Sequence, residues 1–187
     1  MSVLPTSAHA ELVALLRERS FRRGTFTLAS GRQSPYYVDA RPTTMSARGL
    51  VLVGELGLAA IQEAGWRPAL VGGLTLGADP VAYAIAAASA REPHPIDGFT
   101  VRKDPKDHGT GRRIEGPFRP GAPVVVVEDV ITTGASARRA IDAVTAEGGR
   151  VVGVLAVVDR EEGGREAIEA TTLPVVALVR LRELTTD

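Results

Sequence analysis

The chain has no cysteine among its 187 residues, which excludes disulfides, thiolate nucleophiles and thiolate-held metals. Its three histidines, His9, His94 and His108, are scattered, and that spacing does not make a zinc site. An excess of either charge is also lacking: 22 Lys plus Arg balance 22 Asp plus Glu. Nothing in the overall balance attracts nucleic acid or an anionic membrane, so any basic patch must be local. No apolar run approaches the roughly 20 residues that a spanning helix needs, and Met1 to Ala10 has no basic leader region. A soluble, unexported, cytoplasmic protein is expected. With 44% of its residues hydrophobic, a chain this long buries one substantial core, and a single domain over 1–187 is the starting expectation.

Against these absences stands a regular alternation of apolar patterns. Ser7 is placed to cap a first helix whose Leu12, Leu15 and Leu16 form one stripe. Leu50, Val53, Leu58 and Ile61 predict a second helix between Ser46 and Ala64, with Gly65 at its C′ position. A short strand, Ala69 to Val71, ends in Gly72-Gly73, and an Ala-rich helix runs from Gly77 to about Ala90 with Pro80 in its first turn. After the turn signal Pro120 to Pro123 come four β-branched residues, Val124 to Val127, which suit a strand buried on both faces. A loop from Glu128 to Thr133 follows, then a helix from Gly134 to Glu147 with Ala137, Ala140, Ile141 and Val144 on one face. Strands over Val151 to Val158 and Val175 to Val179 complete the pattern. Strand, helix, strand recurring in this way predicts an α/β fold with a doubly wound, mainly parallel sheet.

Two stretches carry chemistry. In Val124-Val-Val-Val-Glu-Asp-Val-Ile-Thr-Thr-Gly-Ala-Ser136, two adjacent carboxylates stand at the carboxyl end of a buried strand, where open α/β sheets bind ligands. Directly after them Thr132, Thr133, Gly134 and Ser136 offer hydroxyls and unhindered N–H groups at a helix amino end, a cradle for phosphate. Carboxylates beside such a cradle suit a phosphorylated sugar, accepting hydrogen bonds from its hydroxyls or holding hydrated Mg²⁺. Charge placed straight after four valines is otherwise costly. The second stretch, between Val101 and Phe118, is long, charged and almost free of apolar residues, with Gly109 and Gly111 inside it. Loops of that kind are usually functional or disordered.

The first stretch resembles the phosphoribosyl pyrophosphate (PRPP) signature of type I phosphoribosyltransferases. Phe26-Thr-Leu-Ala-Ser-Gly-Arg-Gln-Ser-Pro-Tyr-Tyr37, Gly72-Gly-Leu-Thr-Leu-Gly-Ala-Asp-Pro80 and Val101-Arg-Lys-Asp-Pro-Lys-Asp-His-Gly109 narrow the resemblance to the orotate phosphoribosyltransferase family. It implies the type I fold, with a small N-terminal hood over about 1–45 and a flexible catalytic loop over 102–117. It further implies a pentosyltransferase that moves ribose 5-phosphate from PRPP to orotate with Mg²⁺, giving orotidine 5′-monophosphate and pyrophosphate in pyrimidine biosynthesis. Carried over residue by residue, Glu128, Asp129, Val130, Ile131, Thr132, Thr133, Gly134, Ala135 and Ser136 hold the ribose 5-phosphate of PRPP. Asp129 lies nearest the ribose hydroxyls and the metal, with Glu128 beside it; Arg102, Lys103, Lys106 and His108 bind pyrophosphate. Lys106, His108 and Asp129 are the catalytic candidates, and Thr132, Arg160, Tyr37 and Val38 those for orotate. A homodimer whose loop closes over the neighbouring site follows from the same resemblance. Many members carry a lysine where this chain has Ala29 and another where it has Gly77; the resemblance leaves either Arg32 or backbone contacts to replace them. The rival readings are a purine or xanthine phosphoribosyltransferase, and a regulator that senses PRPP without catalysis.

Overall fold

Four consecutive valines organise the centre of the molecule. In the computed structural model, which describes residues 6–27, 31, 33–104 and 113–186, Val124 to Val127 are wholly buried in a strand running Pro123–Ile131. Val125 and Val127 face one apolar cluster, and Val124 and Val126 the other, as expected of a strand covered on both faces.

In chain order the elements are α1 (Thr6–Arg19), β1 (Phe21–Thr27), β2 (Gln33–Val38), α2 (Arg41–Thr44), α3 (Ala47–Glu63), β3 (Leu70–Leu74), α4 (Ala78–Ser89) and β4 (Asp97–Val101). Then follow β5 (Ile114–Glu115), β6 (Pro123–Ile131), α5 (Ala135–Ala146), β7 (Arg150–Asp159), α6 (Gly164–Glu169), β8 (Val175–Arg180) and α7 (Leu181–Thr185). Six strands form one sheet in the order β5-β4-β3-β6-β7-β8, and β1 pairs with β2 in a separate antiparallel ribbon. Every pairing in the large sheet is parallel except that of β4 with β5. From β3 the chain winds to β4 on one side, and from β6 to β7 and β8 on the other. The winding therefore reverses between β3 and β6, and the carboxyl ends of these two strands flank the switch point at which doubly wound sheets bind ligands.

Residues of α1, α3 and α4 cover one face of the sheet, and those of α5 and α6 the other. Ser46 caps α3 by accepting the Gly49 N–H at 3.1 Å, and Gly65 follows it with φ +71°, a left-handed C′ position open to glycine. The ribbon is fixed to the body at its root, where Phe21 and Val38 join the core. Among the described residues no helix is long and apolar enough to cross a membrane.

Three sequence expectations need correction. α1 begins at Thr6, so Ser7 lies within its first turn instead of capping it. β3 does not stop at Val71 but continues through Gly72 and Gly73 to Leu74. A Cβ on Gly72 would stand 2.3 Å from the Phe99 carbonyl oxygen, and one on Gly73 2.1 Å from that of Val127, so these glycines serve close strand packing, not a turn. Glu128 to Ile131 are likewise strand, not loop, because β6 keeps its pairing with β7 as far as Ile131 opposite Asp159.

Candidate active site

At the switch point two adjacent hollows open. One, of about 270 Å³, is a cleft lined by Tyr37, Val38, Asp39 and Arg41 from the ribbon side and Leu74 to Gly77 from the turn after β3, with Lys103, Glu128, Asp129, Val130 and Ser136. The other, about 210 Å³, is lined by Glu128 and by Val130 to Ala137. They share Glu128, Val130 and Ser136. A larger cavity of about 910 Å³ lies at the amino ends of β3 and β4, around Trp66, Ala69 and Ile96. It contains neither the acid pair nor the turn before α5, so size does not pick out the site.

The smaller hollow has the features that suit an anion. Gly134 occupies the N-cap of α5 at φ +77°, and a Cβ there would stand 2.8 Å from the Gly164 carbonyl oxygen. Glycine is thus required both for the left-handed backbone and for the approach of the loop after β7. With no side chain at the cap, the first N–H groups of a 12-residue helix are left for a ligand.

Beside it the acids are hidden from water. Glu128 is only 6% exposed, and its Oε2 has no hydrogen-bond partner among the described residues. Burial pushes its carboxyl well above the ordinary glutamate range, and the neighbouring Asp129 charge pushes in the same direction. Burial also raises Asp129, opposed by the Val130 N–H that donates to its Oδ1 at 2.9 Å. Across the cleft the backbone comes close: a Cβ on Gly77 would stand 2.5 Å from Asp129 Oδ1. A side chain at 77 would therefore press on the Asp129 carboxylate and displace it. The Thr75–Leu76 peptide in this turn is cis.

The expected residues distribute as follows. Val130 to Ser136 line the cradle, and Tyr37, Val38, Lys103, Glu128 and Asp129 line the cleft. Arg102 is not part of either lining; its Nη1 stands 3.6 Å from Glu115 Oε1. Arg160 is no surface cation. It is 4% exposed, its N–H donates to Ile131 O, and its Nη2 reaches Glu162 Oε1 at 2.6 Å and Ser34 Oγ at 3.1 Å. The contact with Ser34 ties β2 to the carboxyl end of β7, while Arg160 Nε has no hydrogen-bond partner among the described residues. Lys106, His108, Ala29 and Arg32 lie outside the described residues. The sequence reading did not single out Asp39 and Arg41, which also line the cleft. Asp39 accepts two hydrogen bonds from the Arg41 guanidinium, at 2.8 Å each, and these hold its carboxyl below the usual aspartate range.

Comparison with models of protein families finds no match. The chain is 48% identical over 177 residues to the orotate phosphoribosyltransferase of Aquifex aeolicus, covering 93% of this chain and 96% of that protein. Its fold matches the crystal structure of Mycobacterium tuberculosis orotate phosphoribosyltransferase in complex with Fe(III) dicitrate with a TM-score of 0.84, at 49% identity over 96% of this chain and 99% of that one. The same Mycobacterium tuberculosis protein in complex with PRPP matches with a TM-score of 0.81, at 46% identity and the same coverage.

Proposed function

Because the chain belongs to the orotate phosphoribosyltransferase family, we infer that it transfers ribose 5-phosphate from PRPP to orotate, releasing pyrophosphate and forming orotidine 5′-monophosphate for pyrimidine biosynthesis. The observation that carries this reading is the junction of an amide and hydroxyl cradle with a buried acid pair at one switch point. A sugar phosphate spans that junction, its 5-phosphate in the cradle of Thr132 to Ser136 and its ribose hydroxyls on Asp129 and Glu128.

Orotate N1 displaces pyrophosphate at the anomeric carbon through an oxocarbenium-like transition state. No covalent nucleophile is needed. Tyr37 and Val38 flank the base, with Thr132 and Arg160 as its polar partners; Arg102, Lys103, Lys106 and His108 receive the pyrophosphate. Cations there stabilise the charge that gathers as the C–O bond breaks, most strongly when water is excluded.

The donor set fits Mg²⁺. Glu128 Oε2 is buried beside Asp129 and has no hydrogen-bond partner among the described residues, where no three metal-binding side chains gather into a cage. Mg²⁺ commonly binds through one or two carboxylates together with substrate phosphates and water. When bound it supplies charge screening for the leaving group. The remaining features of the proposal are one catalytic unit over 1–187, acting in the cytoplasm as a homodimer in which loop 102–117 serves the neighbouring site.

The test is spectrophotometric. Addition of PRPP and Mg²⁺ should consume orotate and release pyrophosphate in equal amounts, while hypoxanthine and xanthine are left unchanged and do not compete. Consumption of either purine without consumption of orotate would place the chain with the purine enzymes instead.

A further inference from the structure

The cleft has to receive a strongly anionic diphosphate, yet three carboxylates line it, those of Asp39, Glu128 and Asp129. Among the described residues lining it, only Arg41 and Lys103 carry positive charge. The wall formed by Leu74 to Gly77 contributes none, and a Cβ on Gly77 would crowd the Asp129 carboxylate. Which cation meets the diphosphate is therefore a question about very few groups.

Arg41 is built for the task. Its guanidinium is fixed by a fork to one carboxylate, Nε to Asp39 Oδ1 and Nη2 to Asp39 Oδ2, both at 2.8 Å, and its own backbone N–H donates to the same Oδ1 at 3.1 Å. These bonds leave Nη1 without a hydrogen-bond partner among the described residues, on a side chain that is about half exposed in the cleft. The guanidinium also lies within electrostatic reach of Asp129, the acid facing the sugar. A planar cation held in advance in this way loses little freedom when an anion arrives.

We propose that Arg41, positioned by Asp39, is a further substrate-binding residue of this chain and takes the diphosphate arm of PRPP from the side opposite the turn after β3. The proposal rests on the reading of the chain as a PRPP-dependent transferase. Arg41 does not line the cradle that holds the 5-phosphate. A sugar whose phosphate sits in that cradle passes Glu128 and Asp129 and directs its anomeric substituent into the cleft, where Arg41 and Lys103 stand. A carboxylate on the incoming base is the other anion available there, and the test separates the two.

Calorimetric titrations with PRPP and with ribose 5-phosphate, both with Mg²⁺, on the intact protein and on Arg41→Ala and Arg41→Lys, decide the matter. Losing a charge-assisted hydrogen bond at a half-exposed site should weaken PRPP about tenfold in Arg41→Ala. Ribose 5-phosphate, which lacks the diphosphate, should bind as before, and Arg41→Lys should recover part of the loss. In steady state the KM for PRPP should rise while that for orotate holds. PRPP binding unchanged in Arg41→Ala, equal weakening of both ligands, or a rise confined to the orotate KM overturns the proposal. Should the unaltered protein bind no PRPP, the transferase reading falls with it, and that result is distinct from the other three.

Discussion

Glu128 is placed where charge is expensive, at 6% exposure beside a second acid, and on the proposed reading it serves binding at a cost in stability. Because its folded pKa is raised, the folded state holds the proton more tightly than the unfolded one. Its contribution to stability is fully present below the ordinary carboxyl range and is lost as pH rises from there through the raised value. Glu128→Gln keeps the shape and removes the charge. Thermal unfolding should give the variant a Tm indistinguishable from the parent in acid and a few degrees higher near neutral pH, an advantage on the order of 1 kcal/mol. The same variant should bind PRPP more weakly. Equal melting at neutral pH would mean that the carboxylate is ionised without cost in the folded protein. At this scale the acid pair was legible because two charges after a valine run have no structural excuse. Asp39 and Arg41 were not, since their meaning depends on the ribbon lying against the end of β6, a contact between segments about ninety residues apart that no local pattern encodes.

Among the elements, those recovered from sequence are the ones whose surroundings repeat along the chain. α3 and α5 show their buried face at helical spacing, and the stretches Val124 to Val127 in β6 and Val151 to Val158 in β7 are apolar runs in strands covered on both faces. β1, with only Phe21 buried and five of its seven residues exposed, has no apolar pattern to find. β4 is only five residues long, and β5, of two residues, is the sheet's edge strand. Glycines divide in the same way. A Cβ on Gly73 would meet the Val127 carbonyl at 2.1 Å and the Ala78 Cβ at 2.7 Å, and neither backbone nor helix can give way cheaply. Gly73→Ala should therefore cost about 1–3 kcal/mol and lower Tm by several degrees. A Cβ on Gly77 meets a side-chain carboxylate instead, so Gly77→Ala should displace Asp129 and depress kcat/KM for PRPP with little change in Tm. Melting curves and initial rates on the two variants test the contrast; equal loss of stability in both would show that the turn after β3 is as rigid as the strand.

For the whole molecule, winding the chain outward in both directions from β3 and β6 brings residues distant in sequence to one crevice, and this was legible in outline from the alternation of strand and helix. Whether a second subunit of the proposed homodimer completes the crevice is a separate matter, tested by mixing two damaged forms. Lys106→Ala removes the proposed pyrophosphate cation of the loop, and Asp129→Asn removes the acid at the end of β6. In a homodimer whose loops cross, a hybrid of the two carries one doubly damaged site and one intact site. Random reassortment of equal amounts makes half the dimers hybrids, so the mixture should regain about a quarter of the unaltered specific activity although each variant alone is nearly inactive. With loops serving their own subunit, both sites of the hybrid are damaged and mixing restores nothing. Differently tagged copies, purified through both tags and assayed for orotate consumption, show directly whether hybrids formed. Hybrids that form and remain inactive would overturn loop sharing while leaving the transferase assignment intact.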